Sequence, residues 1–224
     1  MNFKRVTVFA GHYGSGKTNV AVNYSCEIAK KTGGKVVIYD LDIVNPYFRT
    51  VDAEKFLSDN KVELVVSPFA ETNVDIPAMN AASYRMVDDL NSYAVIDLGG
   101  DDRGAYALGR FSDRIKTENN YDMLLVVNNF RPETRTVEGL AEIRDEIETA
   151  AKIKFTGLVN NGNLGSETDG FILEESERFI EQAAEKLNLP VRFTAVKSDL
   201  IDKLKINKQE KILPVSLIKY GDWQ

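Results

Sequence analysis

Gly11-His12-Tyr13-Gly14-Ser15-Gly16-Lys17-Thr18 follows the apolar run Val6-Thr7-Val8-Phe9-Ala10 and opens a helix-compatible stretch from Lys17 to Lys31. The octet satisfies GxxxxGK[ST] in the context that gives the pattern a mechanism, a strand before it and a helix after it. Glycines let the backbone fold into a nest of N–H groups around phosphate oxygens, and the partial positive charge of the helix N-terminus falls at the same place. Gly11, His12, Tyr13, Gly14, Ser15, Gly16, Lys17 and Thr18, with Asn19 beside them, are therefore the candidate nucleotide-binding residues. Lys17 is expected to reach the β- and γ-phosphates and so to serve catalysis as well as binding, and the Thr18 hydroxyl is expected to serve Mg²⁺.

Outward from this loop, short β-branched or aromatic runs alternate with longer helical patterns. The strand candidates are Val6–Ala10, Val36–Tyr39, Leu64–Val66, Ala94–Ile96, Met123–Val127, Phe155–Val159 and Val191–Val196. Helical periodicity runs over Lys17–Lys31, Ile76–Leu90, Pro132–Ala151 and Glu167–Leu187; in the third, Val137, Leu140, Ile143 and Ile147 form an apolar stripe. This alternation predicts an α/β fold, a mostly parallel doubly wound sheet with the architecture of a P-loop NTPase. No repeat, low-complexity tract or Gly/Ser/Pro-rich linker divides the chain, so one nucleotide-binding domain over residues 1–224 is expected.

Open parallel sheets bind ligands beyond the carboxyl ends of their strands, which singles out the residues after each apolar run: Gly11, Asp40, Asp97, Asn128 and Asn160. Asp97 closes Ala94-Val95-Ile96 and precedes Leu98-Gly99-Gly100, the setting of a Walker B carboxylate that orients the water shell of Mg²⁺. Asp40-Leu41-Asp42 puts two more carboxylates at the same edge, the second of them able to orient an attacking water. Asn128 and Asn129 lead into a loop and a Pro-started helix and are read as structural. Cys26, the single cysteine, is read as a small buried hydrophobe within the first helix.

The segments GHYGSGKT, YDLDIVNPYFR, VIDLGGDDRGA and GLVNN, in this order between about Arg5 and Asp199, resemble the MinD/ParA-type family of P-loop ATPases, the CobQ/CobB/MinD/ParA nucleotide-binding domain. The resemblance implies ATP with Mg²⁺ as ligands, a switch loop after the second strand, Asp42 as the water-positioning catalytic residue and Asp40 as a magnesium-shell carboxylate beside Thr18 and Asp97. It further implies that Leu64-Val65-Val66-Ser67-Pro68 is an inserted strand, and that Asn161 reads the adenine edge, with Asn160 as the alternate register. An amide suits that task because it offers both a donor and an acceptor. No NKxD-like guanine motif is present. Many members of the family carry a lysine directly after the first glycine of the loop, reaching the nucleotide across a dimer interface; this chain has His12, its only histidine. Arg49, Arg103 and Arg110 follow the expected switch loops and are candidates for the missing charge.

Composition narrows the partners. A net charge of −6 argues against general nucleic-acid binding, and one cysteine forms no internal disulfide. No signal peptide or membrane-length apolar run is visible, so a cytoplasmic protein without membrane association is expected. The lysine-rich tail from Lys197 to Lys219 carries an apolar set, Leu200, Ile201, Leu204, Ile206, Ile212 and Leu213, that reads as a last helix cut short by Pro214. The expected activity is Mg²⁺-ATP binding with slow hydrolysis, acting as a nucleotide-dependent switch whose partners are ATP/ADP, a second copy of the chain and a protein the sequence does not name. Two alternatives stand beside it: a small-molecule kinase or ligase on the same scaffold, and a nucleotide-binding module without useful turnover.

Overall fold

The computed structural model describes residues 1–42, 50–66, 81–100, 102–201 and 211–217. Among these residues, eight strands form one sheet: β1 (Val6–Ala10), β2 (Lys35–Leu41), β3 (Val62–Val66), β4 (Ser92–Leu98), β5 (Tyr121–Val127), β6 (Gly157–Asn160), β7 (Val191–Lys197) and β8 (Ile212–Val215). Their order is β3-β2-β4-β1-β5-β6-β7-β8, and every neighbouring pair is parallel. β1 is buried along its whole length, as a central strand covered on both faces must be.

Strand alternation sorts β1 onto two cores. Val6, Val8 and Ala10 join one apolar cluster with α4 (Asp102–Gly109), α6 (Val137–Ala151) and α7 (Gly170–Leu187), while Phe9 joins the other with α1 (Lys17–Thr32) and α2 (Glu54–Asp59). Helices therefore cover both faces, the doubly wound arrangement the alternating pattern implied. The Tyr24 ring of α1 meets Phe9 edge-on at 5.1 Å and stacks on Phe193 of β7 at 5.6 Å, which fixes α1 against the sheet. Each such pair adds about 0.5–1.5 kcal/mol beyond burial. Their consequence is positional: the N-terminus of α1 is held at the carboxyl edge of β1.

Register does the rest of the placing. Asp97 pairs with Asp40 across β4 and β2 and with Phe9 across β4 and β1, so both carboxylates and the start of the glycine loop share one edge. Val127 pairs with Asn160 across β5 and β6, bringing the asparagine pair to that edge too.

The helices differ from expectation in ways their caps explain. Pro132–Ala151 is two elements, a 3-10 turn at Pro132–Thr134 and then α6, because extended Thr136 caps α6 and its side chain accepts from Gly139 N at 3.2 Å. α7 starts at Gly170 instead of Glu167, capped by Asp169, whose side chain accepts from Ile172 N at 2.9 Å. α3 (Ala81–Asp88) covers the end of the Ile76–Leu90 pattern, and residues 76–80 lie outside the described residues. α4 and α5 (Ser112–Glu118) carried no sequence expectation. In the tail, α8 covers Ser198–Ile201, Leu204 and Ile206 lie outside the described residues, and Ile212 and Leu213 belong to β8, which among the described residues pairs only with β7. Exposed Pro214 is tolerated there because an outermost strand can lack an N–H without losing a ladder bond. Among the described residues no helix is long and apolar enough to cross a membrane.

Candidate functional site

The loop closes on itself before α1 begins. Ser15 N donates to His12 O at 3.2 Å, and Gly16 caps α1 in the left-handed region at φ 82. A Cβ there would also fall 2.3 Å from Asn161 Nδ2, so both conformation and space demand glycine at this position. No side chain caps α1 and no acidic residue occupies its first turn, the setting in which a helix N-terminus attracts an anion. Lys17 is buried and folds back so that Nζ donates to His12 O at 3.3 Å. An ammonium resting on a backbone carbonyl inside the loop is poised to exchange that acceptor for phosphate oxygens.

Asp97 lies beneath the loop, 1% exposed. Its Oδ2 accepts from Thr50 Oγ1 at 3.0 Å, while its buried Oδ1 has no hydrogen-bond partner among the described residues. Burial pushes its carboxyl up to about 6, against the pull of the Lys17 charge and the Thr18 and Thr50 hydroxyls, with the Asp42 charge adding to the rise. Asp40, equally buried, accepts through Oδ1 from Asp42 N at 2.9 Å and so fixes the start of the segment after β2. A buried carboxylate oxygen left unsatisfied, a second carboxylate in register with it and a hydroxyl at Thr18 fit a hydrated Mg²⁺, which takes one or two carboxylates and keeps several waters. Among the described residues no group of three or more His, Cys, Asp or Glu side chains could hold a metal by itself.

A cavity of about 480 Å³ opens over this arrangement, lined among others by His12, Lys17, Thr18, Asp42, Arg131 and Glu133. Asn161 Nδ2 donates to Ser15 O at 2.6 Å, so this asparagine braces the loop from beside Gly16. Asn160 turns the other way: its Oδ1 accepts from Gly162 N at 3.1 Å and from the hydroxyl of Ser176 on α7. Asn161 thus faces the loop, and Asn160 faces the helix. Gly100, just after β4, packs on the loop so closely that a Cβ would lie 2.8 Å from Tyr13 N. A Cβ on Gly104 of α4 would likewise meet Leu41 O at 2.8 Å. Gly100 is thereby in contact with the loop, and α4 with the end of β2.

Several residues at the site had no functional reading in the sequence. Thr50 reaches Asp97 from a short 3-10 turn, and Arg131 Nε donates to Gly14 O at 3.1 Å. Glu133 Oε2 lies 3.8 Å from Nδ1 of half-exposed His12. The one signal for Arg131 was its place just beyond the carboxyl end of a strand. Of the arginines considered for compensating charge, Arg49 lies outside the described residues, and neither Arg103 nor Arg110 lines the cavity. Asn128 is structural: its Oδ1 accepts from Phe130 N at 3.1 Å and its Nδ2 donates to Asn163 O at 3.1 Å. Cys26 packs beside Ala29 against the α1-side core, and burial pushes its thiol up to about 11.

The raised Asp97 carboxyl has a consequence for stability. The folded state holds this proton more tightly than the unfolded chain does, so ionised Asp97 costs stability at neutral pH, and the cost fades as pH falls through about 6. Asp97→Asn is expected to melt higher than the wild type without nucleotide at pH 7.5, by something on the order of 1–3 kcal/mol. Melting curves across pH test this: the difference should shrink towards about pH 4, near the ordinary carboxylate range, and a variant less stable than wild type at pH 7.5 contradicts it.

No protein-family model matches this sequence, and no curated protein sequence matches it. Solved structures do. The chain is similar to the cell division protein FtsY of Thermotoga maritima, at 19% identity and a TM-score of 0.57 over 88% of this chain and 62% of that one. FtsY of Mycoplasma mycoides gives 21% identity and a TM-score of 0.55 over 87% and 63%. The signal recognition particle receptor FtsY of Elizabethkingia anophelis in complex with GDP gives 18% and 0.50 over 88% and 58%. The chain spans about six-tenths of the length of these proteins. At such identities the likeness establishes the fold, an α/β P-loop NTPase sheet with flanking helices. FtsY belongs to a different branch from the MinD/ParA family that the sequence motifs resemble.

Proposed function

We propose that the chain is a Mg²⁺-ATP-binding switch of the MinD/ParA type with slow ATP hydrolysis, working with a second copy of itself and a protein partner. One observation carries the reading: the glycine loop and Asp42 line one cavity at the edge of the sheet where the register-paired Asp40 and Asp97 end their strands. In this reading the loop's N–H groups and the first turn of α1 hold the phosphates, and Lys17 leaves His12 O to neutralise their charge. Thr18, Asp40 and Asp97 hold the hydrated metal, which when bound neutralises charge on the phosphate oxygens. Asp42 orients water on the γ-phosphorus; the water oxygen bonds to phosphorus, the bond to the β–γ bridging oxygen breaks, and ADP leaves. Phosphate departure frees the residues that follow Asp42, and the close contact of Gly104 on α4 with Leu41 at the end of β2 supplies the mechanical link of the switch.

Adenine is the base favoured here, on the placement of Asn161 beside the loop and the lack of an NKxD-like motif. The FtsY solved with GDP bears on fold at 18% identity and does not set the base for this chain. Calorimetric titration is expected to give ATP at least about 10-fold tighter binding than GTP, a difference of about 1.4 kcal/mol, with Asn161→Ala erasing most of it. Equal or reversed affinities overturn the adenine assignment.

A further inference from the structure

Arg131 sits at the mouth of the cavity because Pro132 holds it in extended conformation, at φ −97 and ψ 140, at the start of the 3-10 turn. The turn is tied at both ends: Arg131 N donates to Asn128 O and Thr134 N to Arg131 O, each at 3.1 Å. Its Nε is committed to Gly14 O at the crest of the loop. Its two terminal nitrogens make no hydrogen bond or ion pair among the described residues. The nearest acid in its own turn, Glu133, faces His12 instead. A guanidinium anchored by one nitrogen, with a planar pair of donors left over a cavity that also holds Lys17 and Asp42, has the form of a bidentate phosphate ligand.

We infer that Arg131 binds the terminal phosphate of the nucleotide within the same chain, supplying the cation that His12 leaves out of the loop. The inference rests on the nucleotide-binding reading above. The first two phosphates belong to the loop and to the first turn of α1; the third lies beyond them, in the part of the cavity bounded by His12, Asp42 and Arg131. A single chain then carries both cations, and a second copy is not needed to complete the charge at the site.

Titration of wild type, Arg131→Ala and Arg131→Lys with Mg²⁺, once with a non-hydrolysable ATP analogue and once with ADP, tests this. Arg131→Ala should weaken the analogue about 10-fold or more and ADP by less than about 2-fold, because one charge-assisted contact to the third phosphate is lost. Arg131→Lys should fall between, keeping charge without the planar fork. Equal weakening of both ligands overturns the inference, since Arg131 would then only shape the loop through Gly14 O; so does unchanged binding of both. A wild-type protein that binds neither ligand overturns the nucleotide reading itself, and is told apart because the loss precedes any substitution.

Discussion

Lys17→Ala is expected to abolish most of the thermal stabilisation that Mg²⁺-ATP gives the wild-type protein. A ligand present at 100 times its dissociation constant and bound only by the folded state adds about 2.7 kcal/mol. For a chain of this size that is a shift of roughly 5–10 °C in Tm. The ammonium is buried against His12 O inside the loop, so its removal takes away a side-chain charge already positioned within the cradle. The nucleotide-free variant is expected to fold, because Lys17 stands at the first position of α1 and the helix keeps its glycine caps at Gly16 and Gly33. Melting curves with and without Mg²⁺-ATP check this. A variant stabilised as much as the wild type contradicts the placement of Lys17 on the phosphates.

Asp42→Asn separates chemistry from binding. Asp42 lines the cavity, and its backbone N–H donates to Asp40 Oδ1. Its carboxylate is assigned to the attacking water and not to the phosphates, so replacing it by an isosteric amide should lower kcat by about 10²-fold or more while ATP affinity stays within a few-fold. That split marks an interaction made mainly in the transition state. Single-turnover hydrolysis measured alongside equilibrium binding checks it, and hydrolysis at the wild-type rate removes Asp42 from the water site.

The parts of the site that the sequence made legible depend on short-range pattern. GHYGSGKT declares itself because the glycines, the lysine and the strand-to-helix context all lie within a dozen residues. Asp40 and Asp97 were visible as strand-end carboxylates, and parallel register then made them neighbours. Arg131 was not legible, since its approach to Gly14 depends on a proline-set turn between elements far apart in sequence. Thr50 was hidden for the same reason: its contact with Asp97 spans two strands' worth of chain and arises in a 3-10 turn with no periodicity of its own. Asn160 and Asn161 could not be told apart because neighbouring residues at a strand end point to opposite sides, and only the packing of α7 decides which faces the loop. β8 was misread because four residues containing Pro214 look like a helix break, whereas an outermost parallel strand accepts them.

The most direct test of the account is a crystal structure of the chain grown with Mg²⁺ and a non-hydrolysable ATP analogue. The account predicts a triphosphate wrapped by residues 11–18, with Lys17 Nζ moved from His12 O onto the β- and γ-phosphates and the metal shell facing Thr18 and Asp97. A glycine loop that stays closed on Lys17 at saturating nucleotide, or a nucleotide bound away from the carboxyl edge of β1, contradicts it.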